Sequence, residues 1–494
     1  VMDVRPMNLF SNTNSNKRYY TLDYFYKQKF NSKVFKVSLN AGFSCPNIDG
    51  TVGTGGCIYC SNTGSGEFAG NKNDDLVKQF NEVKAILHKK WPNAKYIGYF
   101  QARTNTYADV ETLKEKYETI LKLDNVVGLS IATRPDAISP ECLKYLTELN
   151  KKTFLTIELG LQTIHEKTTK LINRCHTLEC FDECVKKLRK NNINVVVHII
   201  NGLPYETKEM MLDTIKHLNK LDIQGVKIHM LHILKQTKLG KMYEENPFKI
   251  LTKEEYVDIV CDQLENLKSN IVINRITGDP KIDDLIEPNW LTKKFGVMND
   301  IDKELAKRDT YQGFNLSILN RSKQIISNLV KKNDIVVDAT IGNGNDTLFL
   351  ADLARDGKVI GFDIQKEAIE RTKQLLDKNS IKNYQLFEKN HADILKVLKN
   401  YENKISLILF NLGYLPNGDK SITTNYKTTI KAINDSLKLL NNKGNILVVI
   451  YPGHNAGLLE SKEIKKYLKT NNIKYKEYHN TDNEIAPYLI QIKK

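Results

Sequence analysis

The chain has 494 residues, 41% of them hydrophobic, which is too long for one core and predicts two or three domains of a soluble globular protein. No run of about 18 apolar residues reads as a membrane span, the first residues (VMDVRPMNLFSNTNSNKRYY) lack the apolar stretch of a signal peptide, and eight cysteines without a paired framework fit a reducing compartment, so the cytoplasm is the expected location. The formal charge of +15 is shared by the halves on either side of Gly313, as a polyanionic partner such as RNA favours, although a lysine-rich composition gives the same sum without one.

Tyr19 to Lys36 (YYTLDYFYKQKFNSKVFK) interleaves aromatic rings with lysines and reads either as stacking faces beside phosphate contacts or as a helix burying its rings. Phe43 to Cys60, FSCPNIDGTVGTGGCIYC, carries the strongest signal. Cys45, Cys57 and Cys60 are three thiols separated by eleven and then two residues. Three thiolates hold three irons of a four-iron cluster and leave the fourth iron open to a chelating small molecule, whereas structural zinc takes four closed ligands. The glycines of the stretch allow a tight wrap, and Pro46 stiffens its entry.

Helix and strand then alternate: helix Asp74–Lys90, strand Lys95–Gln101, helix Val110–Leu123, strand Val126–Ala132, helix Pro140–Leu149, strand Thr153–Leu159, helix Leu178–Lys190, strand Ile193–Ile200, helix Lys208–Leu221 and strand Gly225–Leu231. This order predicts a parallel barrel with helices outside, in which ligands meet the carboxyl ends of the strands. Those ends hold Gln101 and Arg103; Thr133, Arg134 and Asp136; Glu158 and Gln162; Asn201 and Gly202; and His229 and His232. For any one of them a structural role in the barrel mouth is as natural as a ligand contact. Cys180 and Cys184 lie one helical turn apart and read, with Cys175, as packing thiols rather than a second cluster; Cys142 and Cys261 read as core. Beyond Asp279 the alternation lapses, and after a charged helix near Asn299–Arg308 a boundary is expected at 313, giving domains 1–313 and 314–494.

The second domain opens with a helix, Ile318–Val330, and then DIVVDATIGNGNDTLFLA, a strand running through a glycine turn into a helix. Gly342 and Gly344 permit close backbone approach to a ligand, among Asp338, Asn343, Asp346 and Thr347. The next strand, KVIGFDI, ends in Asp363, where an acid takes two ribose hydroxyls, with Gln365 beyond it. A nicotinamide-binding domain shows a similar acid, so the later motifs decide. They are NHAD, with His391 and Asp393; NLGYLP, with Asn411 and Tyr414; and VIYPGHNAG, with Tyr451 and His454.

The Cys-Pro-Asn-x-Asp-Gly-Thr-x-Gly-x-Gly-Gly-Cys-x-x-Cys pattern resembles the radical S-adenosylmethionine (SAM) enzymes, in the branch near the Elongator catalytic subunit. The resemblance covers roughly residues 10–313. It implies a 4Fe-4S cluster on Cys45, Cys57 and Cys60, SAM on the open iron, an electron donor such as ferredoxin or flavodoxin, and cleavage of SAM to a radical that abstracts hydrogen. GYFQ, with Gln101, stands where many members have Gly-Gly-Glu, and NGLPYE, with Asn201, stands where the adenine is cradled; Arg134, Glu158 and Gln162 are carried over as further cofactor contacts.

Residues 314–494 resemble the class I SAM-dependent methyltransferases, and in particular the family once labelled putative rRNA methylase, whose members methylate the aminomethyl group on tRNA wobble uridine. That resemblance implies a second SAM site on Asp338, Gly342, Asn343, Gly344, Asp346, Thr347, Asp363, Gln365, His391, Asp393 and Asn411, and a homodimer through this domain. Asn411-Leu-Gly-Tyr-Leu-Pro stands where amino methyltransferases carry Asn-Pro-Pro-Tyr, which implies catalytic roles for Asn411, Tyr414 and His454 on an amine smaller than a flat base. Amine methylation needs a neutral nitrogen held in line with the sulfonium methyl, and His454, Tyr451 and His391 are candidates for the proton.

The expected fold is α/β, a radical SAM partial (β/α) barrel followed by a Rossmann-like methyltransferase domain. The expected function is a bifunctional enzyme of the tRNA anticodon arm: one half strips the carboxymethyl group from 5-carboxymethylaminomethyluridine or its 2-thio form, and the other methylates the exposed amine. Alternatives are an rRNA methyltransferase fused to another radical enzyme of RNA, and a non-catalytic RNA-binding regulator.

Overall fold

The computed structural model describes the chain except residues 1–9, 11, 12, 14, 62, 63, 65–68, 414–423 and 481–483. It separates into two compact units, Asn8–Gly313 and, beyond it, Phe314–Lys494.

In the first unit the strands are β1 (Val34–Leu39), β2 (Lys95–Phe100), β3 (Val126–Thr133), β4 (Phe154–Gln162), β5 (Asn194–Asn201), β6 (Gly225–Met230), β7 (Ile233–Leu234), β8 (Val272–Arg275) and β9 (Leu285–Glu287). Among the described residues seven of them form one parallel sheet in the order β1-β2-β3-β4-β5-β6-β8, and β7 pairs antiparallel with β9. The helices that return the chain between strands begin where the sequence supplies a side-chain acceptor: Asp75, Asp109, Ser139, Thr177 and Thr207 each accept a hydrogen bond from a backbone N–H in the first turn. Parity sorts the strands. In β4, Leu155, Ile157 and Leu159 join the apolar core, while Glu158 meets polar groups of β1, β3, β5 and β6 on the inner face.

The sheet does not close, since β1 and β8 remain its two edges. Helix Leu22–Phe30 packs against both edge strands. Tyr26 is buried, and the rings of Phe25 and Phe30 lie 6.2 and 5.5 Å from that of Phe154. The aromatic segment thus packs its rings against the starts of β1 to β4, as the helix-burying reading expects. Strands β1 and β8 and the short helix Glu166–Leu171 extend the predicted alternation; each is brief and lacks a clear apolar period.

The second unit has strands β10 (Ile335–Asp338), β11 (Lys358–Asp363), β12 (Tyr384–Glu388), β13 (Ile405–Asn411), β14 (Leu440–Ile450), β15 (Tyr475–Tyr478) and β16 (Tyr488–Lys493) in the order β12-β11-β10-β13-β14-β16-β15. β10 to β14 run parallel, and β16 is antiparallel to both β14 and β15. Strand order reverses between β10 and β13, the place where open α/β sheets leave a ligand crevice at the carboxyl ends.

Candidate functional site

In the first unit the cysteine loop is tied down by its own backbone and by a neighbouring turn. Val52 N–H donates to Pro46 O and Gly56 N–H to Asn47 O, while the Asn173 amide donates to Thr54 O and Gly56 O. Gly55 and Gly56 have φ of +76° and +71°, which side-chain-bearing residues adopt only with strain. Asn47 is fully buried; its amide nitrogen donates to Asn173 O and lies 3.6 Å from Cys57 Sγ, and its Oδ1 has no partner. A Cβ on Gly53 would come within 2.4 Å of that oxygen.

Cys45, Cys57 and Cys60 are free thiols that line one cavity of about 340 Å³. Among the described residues no set of three His, Cys, Asp or Glu side chains converges on a single ion. A hydrogen bond from Cys60 draws the Cys57 thiol down to about 6 against the effect of burial, and Tyr59, the Arg134 guanidinium and Asn47 add to it. Arg134 is fixed by a bidentate pair with Asp136 (2.8 and 2.6 Å) and donates to Arg174 O. Gln101, Arg134, Glu158 and Gln162 line the same cavity as the thiols.

Two expected contacts in this unit have other tasks. Glu158 is wholly buried, and its oxygens already accept from Lys36 (2.5 Å), Ser130 (2.5 Å), His198 (2.7 Å) and Lys227 (2.5 Å). Burial alone would raise its pKa, but Lys227, Lys36 and His198 outweigh that and hold the carboxyl well below the usual range. It is the hub of a charge cluster in the barrel floor, with no lone pair to spare for a ligand. Asn201 is turned away into a reciprocal amide pair with Gln263, at 2.7 and 2.8 Å. Cys184 packs in the core and Cys180 is half-buried on the same helix, while Cys175 sits apart from them against the cysteine loop, 2.8 Å from the point a Gly53 Cβ would occupy. Sequence reasoning missed Lys36, His198, Lys227 and Arg275, all on the cavity side; the signal was a lysine set between apolar neighbours in VFKVSL and GVKIHM.

In the second unit the polar residues gather at the carboxyl ends of β10, β11 and β13. Asp363 accepts from the N–H of Gly342 (2.9 Å) and of Gln365 (2.9 Å), so it holds the glycine turn across from the adjacent strand. Gly342 and Gly344 have φ of +56° and +79°, and Asn343 lies between them, half-buried. A Cβ on Gly344 would meet Thr372 Oγ1, a buried hydroxyl without a partner, at 2.4 Å. Asn411 is clamped: its amide nitrogen donates to Asp346 Oδ2 (3.1 Å), its Oδ1 accepts from the Tyr451 hydroxyl (3.0 Å), and its backbone N–H donates to Thr340 Oγ1 (2.7 Å). His454 caps helix Asn455–Thr470, its Nδ1 accepting from Gly457 N–H. Asp393 is exposed beside His391, and Tyr414 lies outside the described residues.

Three expected ligand contacts here lie beneath the surface instead. Asp338 and Thr347 are fully buried and bonded to each other at 2.6 Å, with Thr340 N–H on the other carboxylate oxygen. Burial, with Asp346 nearby, pushes the Asp338 carboxyl up to about 7, so it braces the turn from below. His391 is buried edge-on against Phe410, and desolvation draws its imidazole down to about 4. It is a neutral core residue, not one placed to take a proton from a ligand.

Comparison with known proteins gives these geometries a lineage. Residues 48–218 match the Radical SAM superfamily, 223–307 the Radical SAM C-terminal domain, and 359–491 the putative rRNA methylase family. Protein YtqA of Bacillus subtilis is 53% identical over 306 residues, 62% of this chain and 95% of that protein. The chloroplastic tRNA (mnm(5)s(2)U34)-methyltransferase of Arabidopsis thaliana is 37% identical over 153 residues, 28% of this chain and 54% of that protein. A crystal structure of a putative rRNA-methylase from Clostridium thermocellum is 38% identical over 36% of this chain and 97% of that one, with a TM-score of 0.34. The chain is an enzyme that uses SAM: it belongs to the radical SAM superfamily and carries a putative rRNA methylase domain behind that unit.

Proposed function

We propose that the chain is a bifunctional tRNA wobble-uridine enzyme, in which the radical SAM unit converts 5-carboxymethylaminomethyluridine, with or without the 2-thio group, to 5-aminomethyluridine and the second unit methylates the amine. The observation that carries this reading is the fusion itself: a radical SAM unit shares its chain with a domain 37% identical to a methyltransferase named for a methylaminomethyl group at U34. The first reaction would make the amine that the second consumes.

The cavity residues fit a 4Fe-4S cluster held by Cys45, Cys57 and Cys60. The donors are three free thiols, one already inclined to ionise, beside the paired Arg134 guanidinium and an unpartnered Asn47 oxygen, in a loop where a Cβ on Gly53 would strike Asn47 and Cys175. When bound there, cluster and SAM supply an abstracting radical. The protein's share is to hold the three thiols together with Arg134 beside them, to enclose the reacting carbon and to exclude water. In the second unit, Asp346 and Tyr451 fix the Asn411 amide, whose Oδ1 keeps one lone pair for an N–H of the target amine. That leaves the nitrogen lone pair to face the methyl group.

Asp363 ties the glycine turn and takes the ribose hydroxyls. Asp363→Ala should therefore weaken SAM at the methyltransferase site by on the order of 3 kcal/mol, more than a hundredfold. The check is the KM for SAM in methylation of tRNA already carrying 5-aminomethyluridine; a value within threefold of wild type removes the ribose assignment.

Mass spectrometry of wobble nucleosides from cells lacking the protein tests the whole reading. The methylaminomethyl nucleoside should vanish and the carboxymethylaminomethyl form accumulate. Unchanged tRNA together with a ribosomal base short of one methyl group would instead establish the rRNA methylase reading.

A further inference from the structure

The cations around the first cavity are almost all spoken for. Lys36 and Lys227 both serve Glu158, Arg134 is paired with Asp136, and Arg174 donates to the carbonyls of Leu161, Thr163 and His176. Arg275 differs. It stands at the end of β8, lines the cavity, and among the described residues its guanidinium makes no hydrogen bond and no ion pair. It is the register partner of Lys227 on β6, so both side chains leave the sheet on the same face.

The residue is exposed, so its guanidinium is open to whatever enters the cavity. Lys36 and Lys227 share the carboxylate of Glu158, and Arg275 adds a third cationic group on the same face. The neighbouring His229 and His232 are drawn down by burial, with the charge of Arg275 adding to the effect, and stay neutral. Asp279 lines the same wall. Arg275 therefore offers the cavity a planar fork of donors that matches a carboxylate.

We infer that Arg275 is the receptor for a carboxylate in this cavity, and that the carboxylate is the one on the carboxymethyl arm of the substrate nucleoside. The second clause rests on the function proposed above. The other source of a carboxylate is the methionyl end of SAM, and position argues against it. Arg134, just past β3, donates to Arg174 O in the turn that grips the cysteine loop, whereas Arg275 ends the edge strand β8 beside Lys227 of β6. Gripped by its terminal carboxylate, the arm would present its methylene and C–N bond at one fixed depth, and an amine product lacking the carboxylate would lose its anchor and leave.

The test uses the full-length, anaerobically reconstituted enzyme, with Arg275→Gln and Arg275→Lys compared on two tRNAs that differ only in the wobble residue, 5-carboxymethylaminomethyluridine or 5-aminomethyluridine. Wild type should bind the carboxylate form at least tenfold more tightly. Arg275→Gln should abolish that preference and raise the KM for the carboxylate tRNA at least thirtyfold while SAM affinity stays within twofold, and Arg275→Lys should restore part of the preference. An Arg275→Gln enzyme that keeps the preference overturns the inference, and so does one whose SAM affinity falls in parallel, because the carboxylate would then be the cofactor's. If Arg275→Gln does not fold, Arg275→Lys carries the same comparison, and an unaltered preference and KM in that variant overturn it. A wild-type enzyme that prefers the carboxylate tRNA through Arg275 but never cleaves its arm sinks the proposed reaction and leaves the receptor standing.

Discussion

Cys57→Ala should leave the carboxymethyl arm on tRNA and should also stop methylation, although the substituted residue lies in the unit that does not methylate. The reason is steric and sequential: a nitrogen already bearing a carboxymethyl group fills the space that the methyl donor must enter. Iron should fall from about four atoms per chain toward zero, as expected when one of three thiolates is lost from an open-site cluster. Supplying tRNA that already carries the free amine should restore methyl transfer in this variant. Asn411→Ala gives the mirror image, with 5-aminomethyluridine accumulating and methyl transfer slowed about a hundredfold or more, the usual cost of a misplaced reactant. Circular dichroism on each variant separates chemistry from misfolding. Fully methylated wobble nucleoside in Cys57→Ala cells, where no other route makes the amine, would refute the order of steps.

Glu158→Gln should be among the most destabilising single substitutions in the first unit. The carboxylate is wholly buried and compensates Lys36 and Lys227. Removing one partner of a buried ionic cluster leaves the others uncompensated and costs about 3–5 kcal/mol. Urea unfolding would read it as a lower midpoint with unchanged slope; a midpoint equal to wild type would show that the lysines find other partners. The same group sets an acid limit. Its folded pKa lies well below its unfolded value, near 4.5, so its stabilisation is complete above that value and is lost as pH falls through the folded pKa. The wild-type unit should therefore weaken at pH below about 4.5, and Glu158→Gln should show less of that acid slope.

Much of this architecture is legible in the sequence because local rules and global fold agree. Apolar strands alternate with helices opened by Ser, Thr or Asp caps, and the thiol spacing with its glycines needs no distant partner to be interpretable. What is not legible depends on parity and on distance. Asp338 and Asp363 both end apolar strands, yet one ducks under the glycine turn and the other holds it from the next strand. A one-residue difference in register exchanges such roles, and composition does not report it. Asn201 has its partner at Gln263 and Glu158 has its partners at Lys36 and Lys227, all long-range. Lys36 and Lys227 were nonetheless visible in principle, because a lysine flanked by apolar residues in a strand covered on both faces demands a carboxylate across the barrel. Arg275 gave no such hint, since β8 is only four residues long.

The edge of β8 also bears on how the first unit is made. Thr21 forms a parallel bridge with Ile273, and the Ile273 N–H donates to Tyr20 O at 2.7 Å, so one of the earliest segments of this unit pairs with the last strand of its parallel sheet. A ribosome adding roughly 5–20 residues per second needs on the order of ten seconds or more to span the approximately 250 residues between them. During that interval Tyr20 and Thr21 lack this partner, and β6, once made, has no outer neighbour until β8 follows it. That window, rather than the finished fold, is when the unpaired edge of β6 is open to pairing with another chain.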